Sequence, residues 1–212
     1  MDYDGGAQVP PRQVGPSASG TRASGVGCGV VLLLLVVGFA AYLAVAPGLE
    51  RKRQQENLAV ASRLAGKDLP GIGAAKAKVE KVCGPCEERE DEDVVNVTNL
   101  YVADLLHYRI LEGTNTVISV SLREPQGVRI AVGPRLYGVP LEMPLDRAHD
   151  VLVGTGFRKE SEGREEERLT REYARRGDLR LRLCARPDDR KVVDVWVRKW
   201  GLVPAPATYP YR

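Results

Sequence analysis

The sequence predicts an α+β fold with a single N-terminal transmembrane helix, a helical stalk, and then a small antiparallel sheet packed against one or two helices. Three observations lead to this prediction. Residues 26–46 contain no charged side chain. Residues 50–65 consist of strong helix formers and contain neither proline nor glycine before Gly66. After residue 94, apolar residues recur at every second position in several short segments, which is typical of strands.

The apolar stretch at residues 26–46 is the basis for a predicted membrane anchor. An α-helix rises ~1.5 Å per residue, so 21 residues would span the ~30 Å hydrocarbon core of a bilayer. A secretory signal peptide has a shorter apolar core nearer the start, although cleavage after Ala46 is an alternative. Basic residues flank both ends almost equally. We expect a permanent single-pass anchor in a lipid bilayer, with the C-terminal domain outside the cytoplasm.

The anchor divides the chain into five segments. Residues 1–25 are rich in Gly, Pro and Ser and are expected to be disordered. The remaining segments are a transmembrane helix at 26–46, a helical stalk with an acidic linker at 47–93, an α+β domain at 94–200 and an irregular tail at 201–212. Pro47 and Gly48 predict a break between anchor and stalk.

Within the domain, periodicity predicts two helices and five strands. The predicted helices cover residues 100–111 and 144–155, and the predicted strands cover 117–122, 128–132, 169–174, 179–184 and 192–200. The first two strands are expected to pair as a hairpin, and residues 160–167 to form a charged loop. In the fourth strand Arg180 and Arg182 alternate with leucines, so they would line an outward face opposite Asp194. That face could hold an anionic partner, although such alternation is also usual on a solvated face.

Composition excludes few functional classes. The net charge of +3 is too small to indicate nucleic-acid binding by the whole protein, and four cysteines are too few for a disulfide scaffold. The sequence contains no phosphate-binding Walker loop, no G-x-S-x-G and no H-E-x-x-H. His107 and His149 have no evident nucleophile to activate. We therefore lean against an enzyme and expect neither a cofactor nor a bound metal.

Cys83-Gly84-Pro85-Cys86 resembles the active-site tetrapeptide of thioredoxin. The resemblance implies thiol-disulfide exchange by Cys83 and Cys86, since a C-x-x-C thiolate attacks disulfides. The acidic residues that follow would raise the pKa of these thiols, which disfavours this chemistry. A structural disulfide, plain thiols, or zinc binding with Cys184 and a histidine are the alternatives.

Residues 69–77, LPGIGAAKA, are similar to the hairpin of helix-hairpin-helix DNA-binding modules. The resemblance implies phosphate binding by the backbone at Gly71 and Gly73 together with Lys76. The pattern departs from that family at Glu80, where an apolar residue is expected. A Pro-Gly turn between two stalk helices is the alternative interpretation.

Asn96-Val97-Thr98 is an acceptor sequence for N-glycosylation if the domain is exported. Taken together, the sequence favours a binding or scaffolding domain that is held at the membrane and contacts an unknown protein partner. DNA-backbone contact through residues 69–77 and thiol-disulfide exchange at Cys83 and Cys86 are the two alternatives.

Overall fold

The computed structural model describes residues 26–91, 94–165 and 167–201. The tail expected at 1–25 and nearly all of the tail expected at 201–212 lie outside these ranges. The chain divides into two compact parts, Met1–Val45 and Ala46–Arg212. All ten strands and the helices α2 and α3 belong to the second part.

The prediction of a separate transmembrane helix at residues 26–46 is wrong. Residues 26–46 begin α1, which does not break at Pro47 but runs from Val26 to Leu64 through the charged residues that follow Leu49. In the part of the chain that the structure describes, no helix combines the length and the apolar character needed to cross a membrane. The single-pass membrane localisation expected from the sequence is therefore not supported.

The described residues form three helices and ten strands. The helices are α1 (Val26–Leu64), α2 (Lys76–Cys83) and α3 (Leu145–Gly154). The strands are β1 (Glu87–Glu90), β2 (Val97–Val102), β3 (Leu106–Leu111), β4 (Thr116–Arg123), β5 (Arg135–Leu136), β6 (Val139–Pro140), β7 (Arg158–Glu165), β8 (Arg168–Arg175), β9 (Leu179–Ala185) and β10 (Val192–Lys199).

The sheet is large, so the prediction of a small one is wrong. Eight antiparallel strands follow the order β1-β2-β3-β4-β10-β9-β8-β7, and β5 pairs with β6 in a separate ribbon. β1 and β7 lie at the two edges and carry only exposed, mostly charged residues. Charged side chains on edge strands hinder pairing with another chain.

The sheet is built from two copies of one unit, a helix followed by a four-stranded antiparallel meander. α2 precedes β1 to β4, and α3 precedes β7 to β10. The two meanders join through β4 and β10, which pair antiparallel at the centre of the sheet. The strand order therefore reads the same from either edge when the two units are exchanged.

Backbone hydrogen bonds at the two helix starts confirm this repetition. In the first unit the N–H of Gly73 donates to Val117 O (2.9 Å) and the N–H of Val117 donates to Ala74 O (2.9 Å). In the second unit the N–H of Glu142 donates to Val192 O (2.8 Å) and the N–H of Val192 donates to Met143 O (2.9 Å). Gly73 and Glu142 also share a positive φ, of 83° and 64°.

One face of the sheet packs against the helices and contains the core. The core includes Tyr108, Leu122, Tyr173, Leu183 and Val195 from the strands. The helices contribute Ala61, Leu64, Val79, Cys83, Leu145, Ala148 and Leu152 to the same cluster.

The second half of α1, which lies in the segment expected to form a helical stalk, belongs to this packing. Ala61 and Leu64 are buried in the core. Asn57 is also buried: its Nδ2 donates to Asp104 Oδ2 (3.0 Å), and the N–H of Asp104 donates to Asn57 Oδ1 (2.8 Å). α1 is thereby fixed to the turn between β2 and β3.

Other predicted elements differ for local reasons. Residues 100–111 form parts of β2 and β3 rather than a helix, because Leu106, Tyr108 and Ile110 alternate inward with period two. Residues 128–132 are not a strand, and β4 pairs instead with β3 and β10. The predicted charged loop at 160–167 is mostly β7, and the acidic linker begins with β1.

Candidate functional site

The sheet face opposite the helices, here called the open face, is the main candidate for a functional surface. Its side chains alternate with the core residues along each strand and are mostly polar or aromatic, and Val97 and Leu111 form a small apolar cluster with Ile118 that is separate from the core. Cross-strand partners share a face, and two of the rows that the register forms cross all eight strands. In the described residues, the helices place their buried side chains in the core on the other face.

The aromatic row runs from edge to edge through successive register partners. Its members are Glu87, Tyr101, His107, Ser121, Trp196, Arg182, Glu172 and Ser161. The arginine row runs beside it and contains no carboxylate. Its members are Arg89, Asn99, Arg109, Ser119, Arg198, Arg180, Ala174 and Arg158.

Tyr101 and His107 form a rigid pair in the first half of the aromatic row. Their rings are stacked, with centroids 4.6 Å apart and an interplanar angle of 2°. The Nε2–H of His107 donates to Asn99 Oδ1 (2.8 Å). Burial, and after it the positive charge of Arg109, lowers the pKa of His107 to about 4. The imidazole is therefore neutral at pH 7 and acts here as a packed hydrogen-bond donor.

Trp196 belongs to the second half of the aromatic row, and Trp200 lies close to it. The Nε1–H of Trp196 donates to Ser119 Oγ (3.1 Å), which fixes the indole across β4. The guanidinium of Arg198 lies 4.8 Å from the Trp196 ring centroid and 4.7 Å from that of Trp200. The guanidinium of Arg180 also lies beside Trp200, 5.2 Å from its ring centroid. Cation–π contacts of this kind hold arginines in fixed positions.

Positive charge is concentrated where the two rows cross β9 and β10. Arg180 and Arg198 are direct cross-strand partners, and Arg182 is the partner of Trp196. Burial, and then the charges of Arg182 and Arg180, lowers the pKa of Arg198. In the structure, Arg180 and Arg182 lie on the outward side of the sheet, on the open face. Asp194 pairs with Arg123 (3.4 Å) rather than with either of them.

Carboxylates within the aromatic row and beside the two rows form ion pairs with their arginines. Arg109 pairs with Asp91 (2.9 Å), and Arg89 pairs with Glu87 (2.6 Å). Arg182 contacts Glu172 (2.9 Å) and Glu165 (3.0 Å), while Arg180 and, at 3.9 Å, Arg158 contact Glu160. The face is therefore a mixed surface on which most arginines of the arginine row have a carboxylate partner.

Cys83 is the last residue of α2, and Cys86 follows three residues later. Both are free thiols, as is Cys184. Cys83 is fully buried, its Sγ is 3.8 Å from Tyr108 Oη, and burial raises its pKa to about 11. Burial, followed by the charge of Glu80, also raises the pKa of Cys86. Two thiols with raised pKa values give no support to thiol-disulfide exchange, which stays a prediction.

A shallow cavity of about 420 Å³ adjoins Cys86. It is lined by Glu80, Gly84, Pro85, Cys86, Glu88 and Leu100. Lys76 forms an ion pair with Glu88 (2.7 Å) at this position. The lining presents the carboxylates of Glu80 and Glu88 and the thiol of Cys86.

The predicted phosphate-binding residues 69–77 are joined to the rest of the domain by their backbone. The N–H of Ile72 donates to Tyr137 Oη (3.1 Å), the N–H of Gly73 to Val117 O, and the N–H of Lys76 to Asn115 O (2.8 Å). Gly71 lies so close to Tyr137 that an added Cβ would be 2.7 Å from its Oη. These donors are occupied within the fold, so the DNA-contact hypothesis gains no support and stays a prediction.

The other predicted residues do not come together. His149 Nδ1 is 3.2 Å from Tyr173 Oη on the helix side, whereas His107 is on the open face. Within the described ranges, no group of three or more His, Cys, Asp or Glu side chains is arranged to hold a metal ion. Asn96 is exposed in the turn before β2, while Thr98 of the same acceptor sequence is buried; glycosylation stays a prediction.

No protein-family profile matches this sequence, and neither a curated protein nor a solved structure is similar to it. The functional argument therefore depends on the open face and its chemistry. Sequence reasoning found Arg180 and Arg182 but missed Tyr101, Trp196 and Arg198. Alternation of Trp196 and Arg198 with the valines at 195 and 197 was the signal that could have placed these two residues on one face.

Proposed function

We propose that this chain is a binding domain that holds another protein on the open face of its sheet. The observation that carries the proposal is the combination of the aromatic row and the arginine row on a face against which no described helix packs. Tyr, Trp and Arg are the residue types enriched at protein interfaces and among their energetically dominant positions.

The rigidity of the face supports this role. Tyr101 is held by stacking on His107, and Trp196 by its bond to Ser119. Side chains that are already ordered lose little conformational entropy when a partner binds, so more of the contact energy appears as affinity. The strands also fix the spacing between rows, which suits recognition of one partner geometry.

Site-specific photo-crosslinking in cells tests the proposal. A benzophenone amino acid is placed at Trp200 on the open face, 54% exposed, and at Val153 on α3, 49% exposed, as a control of matched accessibility. A second open-face position is Tyr101, at the other end of the aromatic row. We expect Tyr101 and Trp200 to give adducts with the same protein and Val153 to give none.

The outcome that refutes the proposal is equally specific. Adducts from Val153 alone, or the absence of a common adduct from the two open-face positions, would exclude this face as the binding surface. Identification of the adduct by mass spectrometry gives the partner and the region that it presents.

A further inference from the structure

We propose that Cys83 and Cys86 are a thiol pair that a low-molecular-weight disulfide, entering the cavity beside Cys86, converts to an intramolecular disulfide in the folded chain. This inference goes beyond the proposed function and does not depend on it. Cys83 is the last residue of α2, and β1 begins at Glu87, directly after Cys86. The new bond would therefore join the end of α2 to the start of an edge strand of the sheet.

The backbone between the two cysteines suits a disulfide. The chain bends over Gly84 and Pro85, and Gly84 has a φ of 77°. A four-residue bend can bring its first and last Cα atoms within about 7 Å, which is close to the upper limit for a disulfide. The thiol of Cys86 donates to Gly84 O (3.2 Å), so its side chain is folded back over the bend.

The two thiols differ in access, and this difference sets the order of reaction. Cys86 is half-buried and lines the cavity of about 420 Å³ together with Gly84 and Pro85. Cys83 is fully buried, and its Sγ lies 3.8 Å from Tyr108 Oη. A reagent in the cavity therefore meets Cys86 first, and Cys83 reacts afterwards with the sulfur of Cys86.

The reaction consists of two thiol-disulfide exchanges. The Cys86 thiolate attacks one sulfur of the small disulfide, a mixed disulfide forms at Cys86 Sγ, and the other half leaves as a thiolate. The Cys83 thiolate then attacks Cys86 Sγ and displaces the second half as a thiolate. The two leaving thiolates take up the two protons that the cysteines lose. The cysteines are thereby oxidised by two electrons, and the small disulfide is reduced to two thiols.

The surroundings make this pair a target of oxidation rather than a catalyst of exchange. Burial, followed by the charge of Glu80, raises the pKa of Cys86, and burial raises the pKa of Cys83 to about 11. Catalytic C-x-x-C pairs have a lowered thiol pKa instead. Both cysteines are therefore mostly protonated at pH 7, and the reaction depends on a small thiolate fraction that grows about tenfold per pH unit.

Peptide mass analysis of the full chain tests the inference. Trypsin cleaves after Lys81 and Arg89, so a single peptide, residues 82–89, contains both cysteines. Without denaturant we expect this peptide to lose two hydrogen atoms, about tenfold faster at about pH 8.5 than at about pH 7.5. Cys184, whose pKa burial raises to about 12, should be modified about tenfold more slowly than the pair.

Charges of both signs border the cavity, so the probe is the neutral bis(2-hydroxyethyl) disulfide. Glu80 and Glu88 line the cavity, and Lys76 pairs with Glu88. Glu80→Gln removes a charge that raises the pKa of Cys86 and should speed the reaction about threefold. Glu90→Gln is the matched control, because Glu90 is exposed on β1 and does not line the cavity; we expect its rate to be unchanged.

Two cysteine variants separate the two steps. Cys83→Ser should stop the reaction at a mixed disulfide on Cys86, which adds one half of the probe to the peptide. Cys86→Ser should leave Cys83 reduced, because the buried thiol does not line the cavity. Cys86 is only half-buried, so its replacement tests the order of reaction even if Cys83→Ser fails to fold.

Three results would overturn the inference. They are formation of the disulfide only in urea, a mixed disulfide on Cys86 that persists in the unaltered chain, and modification of Cys83 in Cys86→Ser at the rate of the unaltered pair. None of these results alters the photo-crosslinking test of the open face, which can fail or succeed separately.

Discussion

Replacing His107 should remove an acid sensitivity that the fold itself creates. In the unfolded chain this imidazole takes up a proton near its ordinary pKa of 6.5, whereas in the folded chain its pKa is about 4. Between these values the unfolded state binds more protons than the folded state. Stability is therefore full above pH 6.5 and falls as the pH drops through this window.

The size of the effect follows from the two pKa values. At about pH 5 nearly every unfolded chain carries this proton and few folded chains do, which lowers the free energy of unfolding by about 2 kcal/mol relative to about pH 7.5. His107→Gln keeps a side-chain donor for Asn99 and cannot be protonated. We expect the variant to lose about 2 kcal/mol less than the unaltered chain over this range.

Urea denaturation of both chains at the two pH values measures this difference. Other titrating groups are common to both proteins, so their contributions cancel in the comparison. The same pH dependence in both chains would show that His107 is not held neutral by burial on the open face, and it would refute the described packing of the aromatic row.

Three further predictions follow from the packing. Gly71→Ala should lower the free energy of unfolding by about 1–3 kcal/mol in urea denaturation, because its Cβ would lie 2.7 Å from Tyr137 Oη; an unchanged midpoint would contradict this contact. Asn57→Ala should cost about 2 kcal/mol in thermal denaturation, since two hydrogen bonds to the β2–β3 turn are lost; a loss below about 0.5 kcal/mol would contradict it. Maleimide should modify Cys86 before the buried Cys83 in the folded chain, and equal rates by peptide mass analysis would count against the described burial.

The sequence predicted the unit of α3 and β7 to β10 better than the unit of α2 and β1 to β4. The apolar residues of the α3 unit recur with a clearer period. The helix expected at 144–155 is α3, and the strands expected at 179–184 and 192–200 are β9 and β10. Strict alternation of Leu181 and Leu183 with arginines leaves only one assignment for β9. In the first unit, Leu105 and Leu106 occur together at the turn before β3, which suggested a helical period where the chain forms two strands.

The duplicated unit was missed because the two copies share pattern rather than identity. Val117 and Val192 make equivalent backbone hydrogen bonds near the start of β4 and β10, and each is followed by a valine three residues later, Val120 and Val195. Between these valines the first strand has Ile118 and Ser119, and the second has Val193 and Asp194. Burial constrains only the inward residues of a half-buried strand, so the outward side chains can diverge between copies. The same freedom allowed the arginine row and the aromatic row to form on the open face.

Hydroxyl-radical footprinting of the full chain, purified and inside its own cells, tests the open face as a binding surface most directly. Tyr101 and Trp200 are the probes on this face, and Met143, which packs on the helix side, is the internal reference. We expect Tyr101 and Trp200 to be oxidised less in cells than in the purified chain, with Met143 unchanged. Equal oxidation of Tyr101 and Trp200 in the two settings would contradict the account.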